Sequence, residues 1–282
     1  MSGALAIPAV SHASSLSARL KALVLIDLDG GNDGLNTVIP YTNSRYYALR
    51  PNIAVARERA GLHPSLGPLM PAWNAGQLAI VQGVGYAMPN RSHFRSQQIW
   101  QTASRADEYL DASWLAGVGV ETAITRASFV ESCGAASREI VKHDDAHGVK
   151  VLRLTLRGFD THEAQPWRHA SVLSQLARGL ASLRFALMHS GDWPRTLVMS
   201  VSEFGRSAQE NAARGTEHGA ASVQFLMGGR VAGGLYGAPP HLDALDEAGG
   251  LAVGIDFRRL YATALDACCV APVLEPLALL RV

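Results

Sequence analysis

The chain has 282 residues, 48% of them apolar and 17% charged, with 25 basic residues against 24 acidic ones. That length suits one large α/β domain or two modest ones. A formal net charge of +1, with no basic block and no like-charge tail, argues against a nucleic-acid partner. The three cysteines, Cys133 and the neighbours Cys268 and Cys269, form no C-x-x-C pair, so a disulfide framework or zinc knuckle is not expected.

In chain order, residues 1–20 come first, with "MSGALAIPAVSHASSLSA" small, apolar and free of acids. The stretch is similar to the later part of an export signal, with small-residue cleavage candidates but no basic n-region. It is too short and broken to span a bilayer, and no other segment reads as a membrane span. Two expectations stand: a remnant of an export signal, or a flexible lead-in.

Apolar runs at 22–28, 78–85, 149–156, 196–202 and 222–229 are rich in Val, Leu and Ile without clean alternation. This is the pattern of parallel strands covered on both faces. Between them, 92–104 predicts a helix opened by Ser92 as its cap. Residues 170–189 carry Leu and Ala at helical spacing between Pro166 and Gly191, and 256–269 begins with an Asp in cap position. Strands alternating with helices predict an α/β sandwich around a mostly parallel sheet.

Polar residues fall where the predicted strands end. "DGGNDGLN" (29–36), "NRSHF" (90–94), "GFDTHEAQ" (158–165) and "EFGR" (203–206) follow four strands, and "GTEHG" (215–219) precedes the fifth. Ligands of open parallel sheets bind outside the carboxyl ends of the strands, so these groups would gather on one edge. Asp160 and His162, two apart on an extended segment, point the same way. Carboxylates and imidazoles together suit one or two divalent ions such as Zn or Mn. Ser92 at a helix N-terminus, beside such an ion, is a candidate nucleophile towards a phosphate or sulfate ester. Arg91 and Arg206 are candidates to hold the ester's oxygens in forked bonds. Each group alone has a plainer reading: "GGNDG" as a turn, Ser92 as a cap, His63 and His93 as exposed or capping residues, Glu203 as a surface acid. Convergence of all of them is what favours a site.

The segments "GGNDGLNTVIPY", "RSHF", "GFDTHEAQ", "SEFGR", "GTEHG" and "GGLYG" with "DFRRLYA" occur in the order seen in the DUF1501 family. The chain resembles that family from about residue 22 to about residue 265. The resemblance implies a three-layer α/β/α sandwich like that of the alkaline phosphatase and sulfatase superfamily, over residues 21–282. It also implies a metal centre of Asp33, Asp160, His162, Glu203 and His218, with Zn, Mn or Ca as the ion, and Ser92 in the nucleophile position. Members of the family are bacterial and usually exported, which implies a periplasmic or secreted protein, or a cytoplasmic one if residues 1–20 are no signal. The sequence departs from the pattern at Glu217, where the family usually has Asp, and in a short middle between "DASWLAG" and "RASFVESCGAASREI". Two functions follow as expectations: a hydrolase of small-molecule or glycan phosphate or sulfate esters, or a non-catalytic binding or scaffold protein on the same fold. A serine hydrolase triad is disfavoured, because no G-x-S-x-G elbow occurs.

Overall fold

The computed structural model describes residues 19–56 and 61–281. The export-signal expectation rests almost wholly on residues 1–18, which lie outside the described residues. The strands are β1 (Ala22–Asp29), β2 (Leu78–Gly85), β3 (Glu121–Ile124), β4 (Lys150–Arg157), β5 (Thr196–Val201), β6 (Arg206–Glu210), β7 (Thr216–His218), β8 (Ser222–Gly228), β9 (Gly234–Tyr236) and β10 (Ile255–Asp256). The helices are α1 (Gly34–Thr37), α2 (Ser44–Leu49), α3 (Met70–Asn74), α4 (His93–Thr102), α5 (Phe129–Lys142), α6 (Gln165–Ser190) and α7 (Arg258–Ala267).

Eight strands form the central sheet in the order β10-β2-β8-β5-β1-β4-β3, with β9 also paired to β2. Successive residues of β1 serve opposite faces. Val24, Ile26 and Leu28 pack with Phe129, Ile140, Leu173 and Leu180 of α5 and α6. Leu23 and Leu25 pack on the other face with Ile99, Trp100, Leu260 and Tyr261 of α4 and α7. Helices on both faces of a mostly parallel sheet make a three-layer α/β/α sandwich, and covering both faces is why the strands read as unbroken apolar runs.

One strand departs from the expectation. β8 runs antiparallel to both β2 and β5, since a run buried on both faces has the same composition in either direction. Its start therefore lies at the edge where its neighbours end, and it brings the preceding hairpin of β6 and β7 to that edge.

The helices also differ from their predicted bounds. α6 begins at Gln165, not 170, with Pro166 inside its first turn, where a missing N–H costs nothing. α7 spans Arg258–Ala267, and Asp256 accepts from the Arg258 amide at 2.9 Å. Ser92 occupies the N-cap of α4 but makes no side-chain capping bond. The short middle holds β3, which pairs with β4 at the end of the sheet, and α5, opened by a capping box of Ser128 and Glu131.

Candidate metal centre

Four segments meet at the carboxyl edge. Asp160 and His162 follow β4 on a turning rather than extended segment, in which the Thr161 amide donates to the Phe159 carbonyl at 2.8 Å and residue 162 begins a bend. They are exposed and half-buried, while Thr161 between them is buried. His93 opens α4, Glu203 lies just after β5, and His218 ends β7. Glycine lets these segments touch. A Cβ on Gly30 would lie 2.2 Å from the Asp160 amide nitrogen, and one on Gly215 would lie 2.1 Å from the His162 carbonyl carbon.

Three imidazoles face the Asp160 carboxylate. Nε2 of His162 is 3.0 Å and Nε2 of His218 is 3.1 Å from Oδ1, and Nε2 of His93 is 3.6 Å from Oδ2. Ligand atoms of His93, Asp160 and His218 all lie within 4.8 Å of one another. The opposite nitrogen of each ring is occupied. Nδ1 of His218 lies 2.7 Å from the Arg91 carbonyl oxygen, which can only accept, so the proton sits on Nδ1. Nδ1 of His162 is 3.0 Å from Glu217 Oε2, and Nδ1 of His93 is 3.0 Å from Glu203 Oε1. Imidazoles that ligate metals are oriented in this way, with the far N–H given to a carbonyl or carboxylate.

The electrostatics agree. Partial burial raises the Asp160 carboxyl, but the His218 ring and the Arg206 guanidinium beside it bring it below its ordinary value. Burial lowers the His218 imidazole, which favours the neutral ring a metal needs. The Phe204 ring stacks on His218, with centroids 4.4 Å apart, and lies 5.0 Å from His93.

The other predicted residues occupy different places. Asp33 lies apart from the three rings. It caps α1 by accepting from the Leu35 and Asn36 amides, and its Oδ2 takes Arg50 at 2.6 Å and the Gln165 amide. Burial would raise this carboxyl, but Arg50 holds it below its ordinary value. Glu203 is 4% exposed, against its reading as a surface acid, and it stands behind His93 while Oε1 also accepts from the Gly30 amide at 3.0 Å. Its carbonyl takes Ser96 Oγ and Trp100 Nε1, which fixes α4 and hence His93.

Arg206 is not free to grip an ester. Its guanidinium is buried and donates to the carbonyls of Gly30, Gly31, Phe159 and Thr216 and to Asp160. Arg91 donates to the His218 carbonyl at 3.1 Å and to Asp246, bracing the loop that carries His218. Ser92 is exposed at the mouth of α4. His93 is the residue that sequence reasoning set aside; its signal was adjacency to Ser92 in a strand-exit loop. A cleft of about 330 Å³ opens beside Glu203, lined also by Asp29, Gln97, Arg153 and Arg157.

Fold and site together define an alkaline-phosphatase-like α/β/α protein with a candidate divalent-metal cluster at the carboxyl edge of its sheet. The chain belongs to the DUF1501 family, described as proteins of unknown function, whose model matches residues 101–268. No curated protein matches its sequence.

Solved structures share the fold at low identity. The lipoteichoic acid synthase LtaP from Listeria monocytogenes is 9% identical with a TM-score of 0.52, over 92% of this chain and 74% of that one. An inactive murine ectonucleotide pyrophosphatase/phosphodiesterase 5 in complex with AMP is 9% identical with a TM-score of 0.50, over 91% and 97%. A protein of glycosaminoglycan metabolism from Bacteroides thetaiotaomicron is 9% identical with a TM-score of 0.50, over 89% and 73%. Among the described residues no helix is long and apolar enough to cross a membrane.

Proposed function

We propose that this chain is a metal-dependent hydrolase of phosphate or sulfate esters. The observation that carries the reading is the set of three imidazoles turned on Asp160, each with its far nitrogen already held by a carbonyl or carboxylate. Imidazole nitrogens beside one carboxylate suit Zn or Mn better than Ca, which prefers oxygen ligands. Bound among His93, Asp160 and His218, such an ion would supply positive charge to the oxygens of the ester.

The chain's own groups do the rest. Asp160 is held by Arg206, and His93 and His218 are held by Glu203 and the Arg91 carbonyl, so the donors are fixed before any ligand arrives. Ser92 is the proposed attacking hydroxyl, exposed at the N-terminus of α4 and not used as a cap. The polar cleft beside Glu203 is the proposed seat of the alcohol portion. The printed descriptions of the structural neighbours, which include a phosphodiesterase and a protein of glycosaminoglycan metabolism, are in keeping with an ester substrate.

The test is elemental analysis of the purified protein, followed by a panel of phosphate and sulfate esters with and without Zn or Mn. Metal uptake with hydrolysis that falls at least about 100-fold in Ser92→Ala is expected. Failure to take up either ion overturns the proposal. Uptake without turnover of any ester would favour a metal-loaded binding protein, a reading supported by the engagement of Arg206 with four backbone carbonyls and Asp160.

A further inference from the structure

A buried amide with three partners joins the segments that carry Asp160, His162 and His218. Gln165 is 0% exposed, and its Oε1 accepts from Thr161 Oγ1 at 2.9 Å and from Thr216 Oγ1 at 2.6 Å. Its Nε2 donates to Asp33 Oδ2. The amide orientation is therefore fixed: the oxygen faces two hydroxyls and the nitrogen faces a carboxylate that can only accept.

The two threonines are placed with consequence. Thr161 separates Asp160 from His162, and Thr216 lies two residues before His218. Both are buried, and their backbones are joined by the Thr216 amide donating to the Thr161 carbonyl at 3.1 Å. Two further backbone bonds join the same segments, from the Ala164 amide to the Ala213 carbonyl at 3.0 Å and from the Gln165 amide to the Arg214 carbonyl at 2.9 Å, and all three leave the threonine side chains to be held separately. The two hydroxyl hydrogen bonds to Gln165 Oε1 add a buried side-chain link between the same segments.

Asp33 anchors the amide. Its Oδ2 is shared between Gln165 and Arg50, and Arg50 in turn donates to the carbonyls of Ala208 and Ser207 on β6. One buried ion pair thus ties the turn after β1, strand β6 and the start of α6 to the segments that carry Asp160, His162 and His218.

We propose that Gln165 is a positioning residue that sets the separation of the His162 and His218 rings, with Thr161 and Thr216 as its two arms and Asp33 as its anchor. This inference rests on the metal-centre reading for its purpose, though its geometry stands without an ion. Asp33, which the family resemblance puts among the ligands, acts here through three intervening side chains.

The test compares the full-length protein with Gln165→Leu, and Thr161→Val and Thr216→Val with the matching Thr→Ser variants, which keep the hydroxyl. Affinity for Zn and the visible spectrum of the Co-substituted protein report the centre. Histidine ring NMR signals of the apo protein report ring placement without metal. In Gln165→Leu and both Val variants, Zn binding should weaken roughly 10-fold, the Co spectrum should change, and the His162 and His218 signals should move while that of His189 stays. The Ser variants should match wild type in all three readouts even if their melting temperatures fall. Should Gln165→Leu fail to fold, the Val and Ser pairs decide alone. Unchanged ring signals and equal affinity in the Val variants would overturn the clamp. Absence of metal uptake by wild type would overturn the metal reading instead, and ring signals that still move would leave the clamp as a device for ring spacing.

Discussion

The Nε2 atoms of His162 and His218 lie 2.9 Å apart. With Nδ1 of each ring turned to Glu217 or to the Arg91 carbonyl, the two Nε2 atoms face one another beside Asp160 Oδ1, and Arg206 Nη1 lies 3.5 Å from that of His162. Lone pairs 2.9 Å apart repel unless a proton or a metal cation lies between or beside them. The arrangement therefore predicts that His218→Ala and His162→Ala each weaken divalent-metal binding by more than the roughly 10- to 100-fold that loss of an outer partner costs. Isothermal titration with Zn or Mn checks it. Equal affinity in both variants would show that the rings share a proton and nothing else.

Glu203 acts on the centre from behind His93, and two substitutions separate its effects. Glu203→Gln keeps an oxygen for the His93 and Gly30 N–H groups but removes the charge that makes the imidazole a stronger donor. Metal affinity should fall about 10-fold with little loss of stability. Glu203→Ala also leaves the buried Gly30 amide without its acceptor, at a cost of about 1–3 kcal/mol. Urea midpoints measured beside metal affinities distinguish the two, and equal stability of the Ala and Gln variants would refute the second part.

How much of this was legible in the sequence depends on whether the deciding contact is local. The apolar runs that became β1, β2, β4 and β5 announce themselves through both-face burial, and "DTH" through its spacing. The direction of β8 is set by its neighbours and leaves no mark in its own composition. His93 was hidden because a histidine in the first turn of a helix has an ordinary reading there. Its partner Glu203 is 110 residues away. Asp33 followed the opening strand where an acid ligand was expected, but Arg50, 17 residues on, and Gln165, 132 residues on, claim its carboxylate. Helix α5 did carry a local signal in Ser128 and Glu131 that the reading passed over.

The Arg50–Asp33 pair should make stability depend on acid pH in a specific direction. Both side chains are buried, at 0% and 2% exposure, so Asp33→Asn leaves Arg50 without its counter-charge and should cost about 3–5 kcal/mol at neutral pH. Because the folded carboxyl lies below the ordinary value of 3.8, its contribution is complete above that value. It is lost as pH falls through the folded value. Urea unfolding of wild type and Asp33→Asn should therefore diverge most at neutral pH and converge below about pH 3.8. Curves that stay parallel across that window would show that Asp33 keeps no charge-dependent role.

Gly215 offers a test of backbone packing beneath the site. A Cβ there would lie 2.1 Å from the His162 carbonyl carbon and 2.2 Å from its oxygen, and both are backbone atoms that cannot rotate away. Gly215→Ala must push the segment carrying His162 away from that carrying His218, so it should cost several kcal/mol in stability and weaken metal binding together. Gly67→Ala is the control, because nothing lies within 4 Å of its added Cβ and no positive φ is required; it should stay within about 0.5 kcal/mol of wild type and bind metal equally. Thermal unfolding of both apo proteins, read beside Zn affinity, separates a displaced site from general loss of structure. If Gly215→Ala melts with wild type and binds Zn as tightly, the close approach of the two segments does not hold the rings together.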